Sequence, residues 1–96
     1  MLTRETLRQH RDAILRIAET NGVCNVRVFG SVARGDASET SDVDFLVSLR
    51  PGASGWGPGG FLMDAQDLLG CKVDVAMEGG LKPRVRERVL REATPL

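Results

Sequence analysis

Gly30-Ser31 and Asp42-Val43-Asp44, separated by ten residues, are the part of this chain best equipped for chemistry. The apolar run Val26, Val28, Phe29 ends in the small-residue turn Gly30-Ser31. A second apolar run, Phe45-Leu46-Val47, starts directly after two carboxylates spaced i, i+2. In a strand such residues point to one face, so Asp42 and Asp44 should aim at one point. Like charges held together beside an apolar strand repel, and their burial is costly without a partner. A divalent cation relieves both problems. Mg²⁺ is typically held by one or two carboxylates, with phosphate and water oxygens completing the shell.

The Gly-Ser turn has the complementary character. Gly30 has no side chain, so a phosphate can approach its backbone. Ser31 offers a hydroxyl and an N–H, at what reads as the start of a short helix. Arg34 follows one turn later and can pair with phosphate or with Asp36. The bland alternative for Ser31 is a helix N-cap. A third carboxylate stands in Lys72-Val73-Asp74-Val75-Ala76-Met77, one acid in a mainly apolar run. If that strand pairs with the one carrying Asp42 and Asp44, all three acids converge. Three carboxylates offer enough ligands for two metal ions about 4 Å apart, the arrangement that clamps attacking and leaving oxygens in phosphoryl transfer.

The elements that must position these residues follow from periodicity and punctuation. The spacing predicts a helix over about Thr3 to Thr20, with Leu7, Ile14, Ile17 and Ala18 as its apolar stripe and His10 at the stripe's margin, half-buried. Asn21-Gly22 closes it. Strands are expected over about Cys24–Phe29, Asp42–Leu49 and Cys71–Met77, with a short helix over about Ser31 to Arg34-Gly35. Pro51 to Gly60 holds five glycines and two prolines in ten residues and reads as a flexible loop. A helix from about Phe61 to Leu69 should stop at Gly70, and a last helix should run from Pro83 to about Glu92. A helix between the second and third strands implies a right-handed crossover and a parallel pair. Asp44 and Asp74 would then lie side by side.

Ninety-six residues suit one domain, 1–96, of mixed α/β (α+β) class: a sheet of about three strands flanked by helices. Thirteen basic and thirteen acidic residues balance, which argues against a general nucleic-acid binder. No apolar run is long enough to span a bilayer, and Met1 to Arg11 has no signal-peptide core; the expected location is the cytoplasm. Cys24 and Cys71 lie outside any C-x-x-C pair and read as reduced thiols in or near the core. The last helix carries Lys82, Arg84, Arg86, Arg88 and Arg91 against Glu87 and Glu92. Its default reading is a solvated face. Arg84, Arg88 and Arg91 share one side and can also receive a triphosphate or dock an acidic partner. Trp56, among glycines, can fold onto the core, anchor a partner or stack on a base.

Gly-Ser, ten residues, Asp-x-Asp and a later strand Asp together resemble the nucleotidyltransferase superfamily with the DNA polymerase beta-type palm. The longer stretch Gly30-Ser31-Val32-Ala33-Arg34-Gly35 through Ser41-Asp42-Val43-Asp44 resembles its smallest members, the minimal nucleotidyltransferase (MNT) proteins. The resemblance spans nearly the whole chain. It implies ATP- and Mg²⁺-dependent transfer of AMP, with Asp42, Asp44 and Asp74 as catalytic and metal-holding residues and Gly30, Ser31 and Arg34 on the nucleotide. Many such proteins are antitoxins of type VII HEPN/MNT pairs that adenylylate a tyrosine of the HEPN toxin. The partner expected is therefore a HEPN toxin, in a hetero-oligomer or beside a homodimer, with no direct contact to nucleic acid or membrane. Two other functions compete: an antitoxin acting by binding alone, and AMP transfer to a small molecule such as an aminoglycoside. Converging acids argue against pure binding.

Overall fold

The computed structural model describes residues 3–36 and 42–96. Ser41 of the motif, with the rest of 37–41, lies outside the described residues, as do Met1 and Leu2. The element order is α1 (Arg4–Gln9), α2 (Arg11–Thr20), β1 (Val23–Phe29), α3 (Gly30–Arg34), β2 (Val43–Leu49), α4 (Gly57–Leu69), β3 (Val73–Met77), a 3₁₀ turn (Glu78–Gly80), α5 (Pro83–Glu92) and β4 (Thr94–Pro95).

The sheet runs β3-β2-β1-β4. Strand β2 is antiparallel to β1 and parallel to β3, with α4 as the crossover. The parallel pairing expected from the sequence is therefore present. So is its register, in which Asp44 lies opposite Asp74. The mixed α/β class holds, but the sheet has a fourth strand: β4 adds two residues antiparallel to β1 at Arg27 and Val28. Two residues carry no periodicity, so this edge strand left no trace in the sequence pattern.

One face of the sheet holds the main core. Val43, Phe45 and Val47 of β2 point to it, with Val23, Val26 and Val28 of β1 and Val73 of β3. Helices α1, α2 and α4 cover it through Leu7, Ile14, Ala18, Phe61 and Ala65. Phe45 and Phe61 meet edge to face, centroids 5.4 Å apart and rings at 85°, a favoured aromatic geometry. In β1 the alternation slips by one at a bulge between Cys24 and Arg27. Asn25 takes a left-handed φ of 52° there, a conformation asparagine tolerates better than most residues. The bulge lets Val23 and Val26 face the same core.

Two helices depart from the sequence reading, each for a physical reason. The expected first helix is divided at His10, whose φ of −99° and ψ of 8° leave the helical range. Its ring Nδ1 lies 3.0 Å from the Thr6 carbonyl, and the ring is half-buried as expected. Helix α4 starts at Gly57, so the stretch read as loop yields its last four residues to helix. Pro58 fits the first turn, where its missing N–H costs nothing. Gly57 and Gly60 are there for packing: a β-carbon on either would run into the carbonyl or side-chain oxygen of Asn21 at the end of α2. Trp56 does not fold onto the core; it is 87% exposed. The stops at Asn21-Gly22 and Gly70 stand as read, with φ of 70° at Gly22 and 66° at Gly70.

Candidate active site

The sheet face opposite the main core carries the acids. Phe29 of β1, Asp44 of β2 and Asp74 of β3 are paired across the strands, so their side chains leave the sheet on the same side. Asp44 is half-buried and Asp74 exposed. Asp42, just before β2, is also half-buried, and its carboxylate lies 3.7 Å from Lys72 Nζ. The register sets Asp44 beside Asp74, and Asp42 lies just outside it. Among the described residues, though, no group of three His, Cys, Asp or Glu side chains closes around one point as a preformed metal site. Asp42 instead pairs with Lys72.

Asp44 carries the electrostatic signature of the site. Burial, then the charges of Asp74 and Asp42, push its carboxyl up from 3.8 to about 6, against the opposing pull of Arg34. A half-buried acid beside two other acids is short of positive charge. Its donor set, hard carboxylate oxygens, matches what Mg²⁺ takes. The residues present thus fit a divalent cation by chemistry and charge.

Gly30 is where β1 hands over to α3. Its φ of 74° is left-handed, and a β-carbon there would collide with Asp44 Oδ2. The sequence reading reserved that space for a phosphate; the structure gives it to the Asp44 carboxylate. Ser31 does not cap α3, whose N-cap is Phe29 without a side-chain hydrogen bond; Ser31 is half-buried in the first turn. Gly35 ends α3 at φ 81°. Arg34 donates through Nε to Asp36 Oδ2 at 3.2 Å and through Nη1 to Glu92 Oε1 at 3.0 Å. These two hydrogen bonds raise its pKa further.

Helix α5 lies over this face beside α3. With Phe29, Gly30, Arg34 and Asp44, its residues Arg88, Val89 and Glu92 line a cleft of about 350 Å³. Val89 is buried, while Arg84, Arg88 and Arg91 are exposed. Of the three arginines the sequence grouped together, only Arg88 lines the cleft. Farther along the same face Arg27 is nearly enclosed and pairs with Glu78 at 3.2 Å. Arg86 reaches Glu78 from α5 at 3.7 Å. Glu92 is the site residue that the sequence reading missed. Its Oε2 accepts from Gly30 N–H at 3.3 Å, across 62 positions. No local motif announces such a contact; in the sequence it reads as one of two acids offsetting a basic helix. Cys71, at the edge of the site, has its thiol raised by burial and then by Asp42; both cysteines are free and half-buried.

A profile of the nucleotidyltransferase domain family matches residues 7–96. The protein adenylyltransferase MntA of Thermococcus cleftensis is 40% identical over 76 residues, which cover 79% of this chain and 77% of the relative. The solved structure of a candidate minimal nucleotidyltransferase superposes with a TM-score of 0.86 at 47% identity, over 99% of this chain and 97% of that one. A crystal structure of a toxin–antitoxin with AMP-PNP shares the fold, with a TM-score of 0.73 at 16% identity, over 88% of this chain and 69% of that one.

Proposed function

This chain belongs to the nucleotidyltransferase domain family, and from that premise we propose that it transfers AMP from ATP to a hydroxyl group of a partner protein. As a nucleotidyltransferase it must bring a nucleoside triphosphate and an acceptor oxygen together. The observation that carries the reading is the β2–β3 register, which sets Asp44 beside Asp74 on the face that Gly30 and Arg34 border.

In this reading Gly30, Ser31 and Arg34 hold the β- and γ-phosphates. Asp42, Asp44 and Asp74 would hold divalent Mg²⁺, which when bound would supply neutralisation of phosphate charge and a lowered pKa for the acceptor hydroxyl. Asp74, the exposed acid, takes the acceptor's proton. The acceptor oxygen attacks the α-phosphorus in line, the bond to the bridging oxygen breaks, and pyrophosphate leaves. Positioning and preorganised charge provide most of the acceleration.

A protein acceptor is supported by the 40%-identical relative, named a protein adenylyltransferase. The toxin–antitoxin structure of the same fold supports a toxin as partner. We read the chain as the antitoxin of a HEPN/MNT-type pair, with a tyrosine of the HEPN toxin as acceptor. The sequence contains no tyrosine, so the acceptor tyrosine belongs to another chain. The test is label transfer from ATP to the protein encoded beside this chain's gene, co-purified as its candidate toxin. Label from the α-phosphate should enter the toxin, and label from the γ-phosphate should not. Transfer should stop with Asp42→Asn/Asp44→Asn. A stable complex that neutralises the toxin and takes up no label would instead make this an antitoxin that works by binding.

A further inference from the structure

Glu92 stands where the reading above places phosphate. Its two oxygens take the Gly30 N–H at 3.3 Å and the Arg34 guanidinium at 3.0 Å. These are two of the three residues assigned to the nucleotide, and a carboxylate and a phosphate offer them the same thing: anionic oxygens. Glu92 is also the last residue of α5, separated by Ala93 from the short strand β4 that pairs with β1. It therefore reaches the cleft from an element separate from the β1–α3 turn that it contacts.

We propose that Glu92 is an exchangeable positioning residue of the nucleotidyltransferase site: it holds Arg34 at the cleft in the nucleotide-free protein and gives up Arg34 and the Gly30 N–H to the incoming phosphates. The proposal rests on Arg34 and Gly30 being the phosphate side of the site and is independent of what the acceptor is. The exchange is energetically accessible. Arg34 is half-exposed, its side chain 48% accessible, and ion pairs of that kind contribute little beyond about 1 kcal/mol. A phosphate that binds the fork of a guanidinium through two oxygens replaces such a pair readily. Arg34 keeps its Asp36 hydrogen bond through Nε, so the side chain has a second anchor during the exchange. Arg88, on the same cleft wall, adds positive charge for the phosphates that displace Glu92.

The experiment is calorimetric titration of the full chain with ATP and Mg²⁺, without acceptor. Glu92→Gln should tighten ATP about five-fold, because phosphate no longer competes with an ion pair of about 1 kcal/mol. Glu87→Gln removes an exposed charge from the same helix and should change affinity less than two-fold. In an Arg34→Gln background, Glu92→Gln should also change affinity less than two-fold, because the contested cation is gone and a glutamine oxygen still competes for the Gly30 N–H. Unchanged or weaker binding by Glu92→Gln overturns the proposal. So does equal tightening with and without Arg34, which would mean a general field effect. Arg34→Gln alone should weaken ATP; if it does not, the phosphate reading of Arg34 fails, and that failure is distinct from failure of the exchange. Should Glu92→Gln fold poorly, Glu92→Asp keeps the charge, shortens the reach by one methylene, and should give intermediate tightening; no tightening overturns the exchange.

Discussion

At the scale of single residues, the site works against the stability of the protein that carries it. Asp44 has its carboxyl raised to about 6 by burial and by Asp74 and Asp42. A raised carboxylate pKa means that the folded state favours the protonated form. The resulting penalty is absent below the unfolded value of 3.8, grows as pH rises, and is complete above about 6. Asp44→Asn should therefore stabilise the metal-free protein at pH 7 by about 1 kcal/mol after allowance for solvent screening. That is roughly 4–8 °C in Tm for a chain of this size. Melting curves at pH 7 and pH 4 check the sign: the gain should be present at the first and lost at the second, while transfer activity is abolished. Gly30→Ala runs the other way. A left-handed φ of 74° and a collision with Asp44 Oδ2 should cost about 1–3 kcal/mol in denaturant unfolding. How much of this was legible differs between the two residues. The pair Asp42 and Asp44, the lone strand acid Asp74 and Gly30 could be singled out as candidates because i, i+2 spacing, an acid in an apolar run and a missing side chain are local properties. That the space at Gly30 serves Asp44 was not, because it depends on β1 lying against β2.

The secondary elements show the same division between local and distant causes. Strands with unbroken apolar patterning, the crossover helix and the glycine stops could be read directly. The start of α4 could not, because its glycines argue locally against helix and are selected by contact with Asn21. A substitution separates the two influences. In an isolated helix Ala is better than Gly by about 1 kcal/mol. Gly57→Ala should nonetheless lower stability, since its β-carbon meets the Asn21 carbonyl. Chemical denaturation would show this as a reduced midpoint; an increase would mean that α2 can shift at no cost. Phe61 tests the core beneath. It is fully buried against Phe45, and Phe61→Ala should cost about 3–5 kcal/mol. Set against a total of about 5–15 kcal/mol, that loss should bring much of the population close to unfolding, measurable as loss of the cooperative thermal transition.

Across the whole molecule, the two faces of one sheet divide the labour. One buries the core under α1, α2 and α4; the other leaves Asp42, Asp44 and Asp74 beside a cleft walled by α3 and α5. Charge is divided too. Helix α4 carries Asp64 and Asp67 and no basic residue, while α5 carries Arg84, Arg86, Arg88 and Arg91 against Glu87 and Glu92, with Arg88 on the cleft. The zero net charge of the sequence hid this polarity, because a sum over the chain has no direction. Among the described residues no helix is long and apolar enough to cross a membrane. The cleft beside them holds about 350 Å³, and in the proposed function the acceptor is brought to it by a partner. The most direct measurement is therefore the intact mass of the protein encoded beside this chain's gene, after incubation with the chain, ATP and Mg²⁺. The account predicts a gain in whole AMP increments that is absent with Asp42→Asn/Asp44→Asn. An unchanged mass in a complex that still forms, or a gain that survives the double substitution, would contradict it.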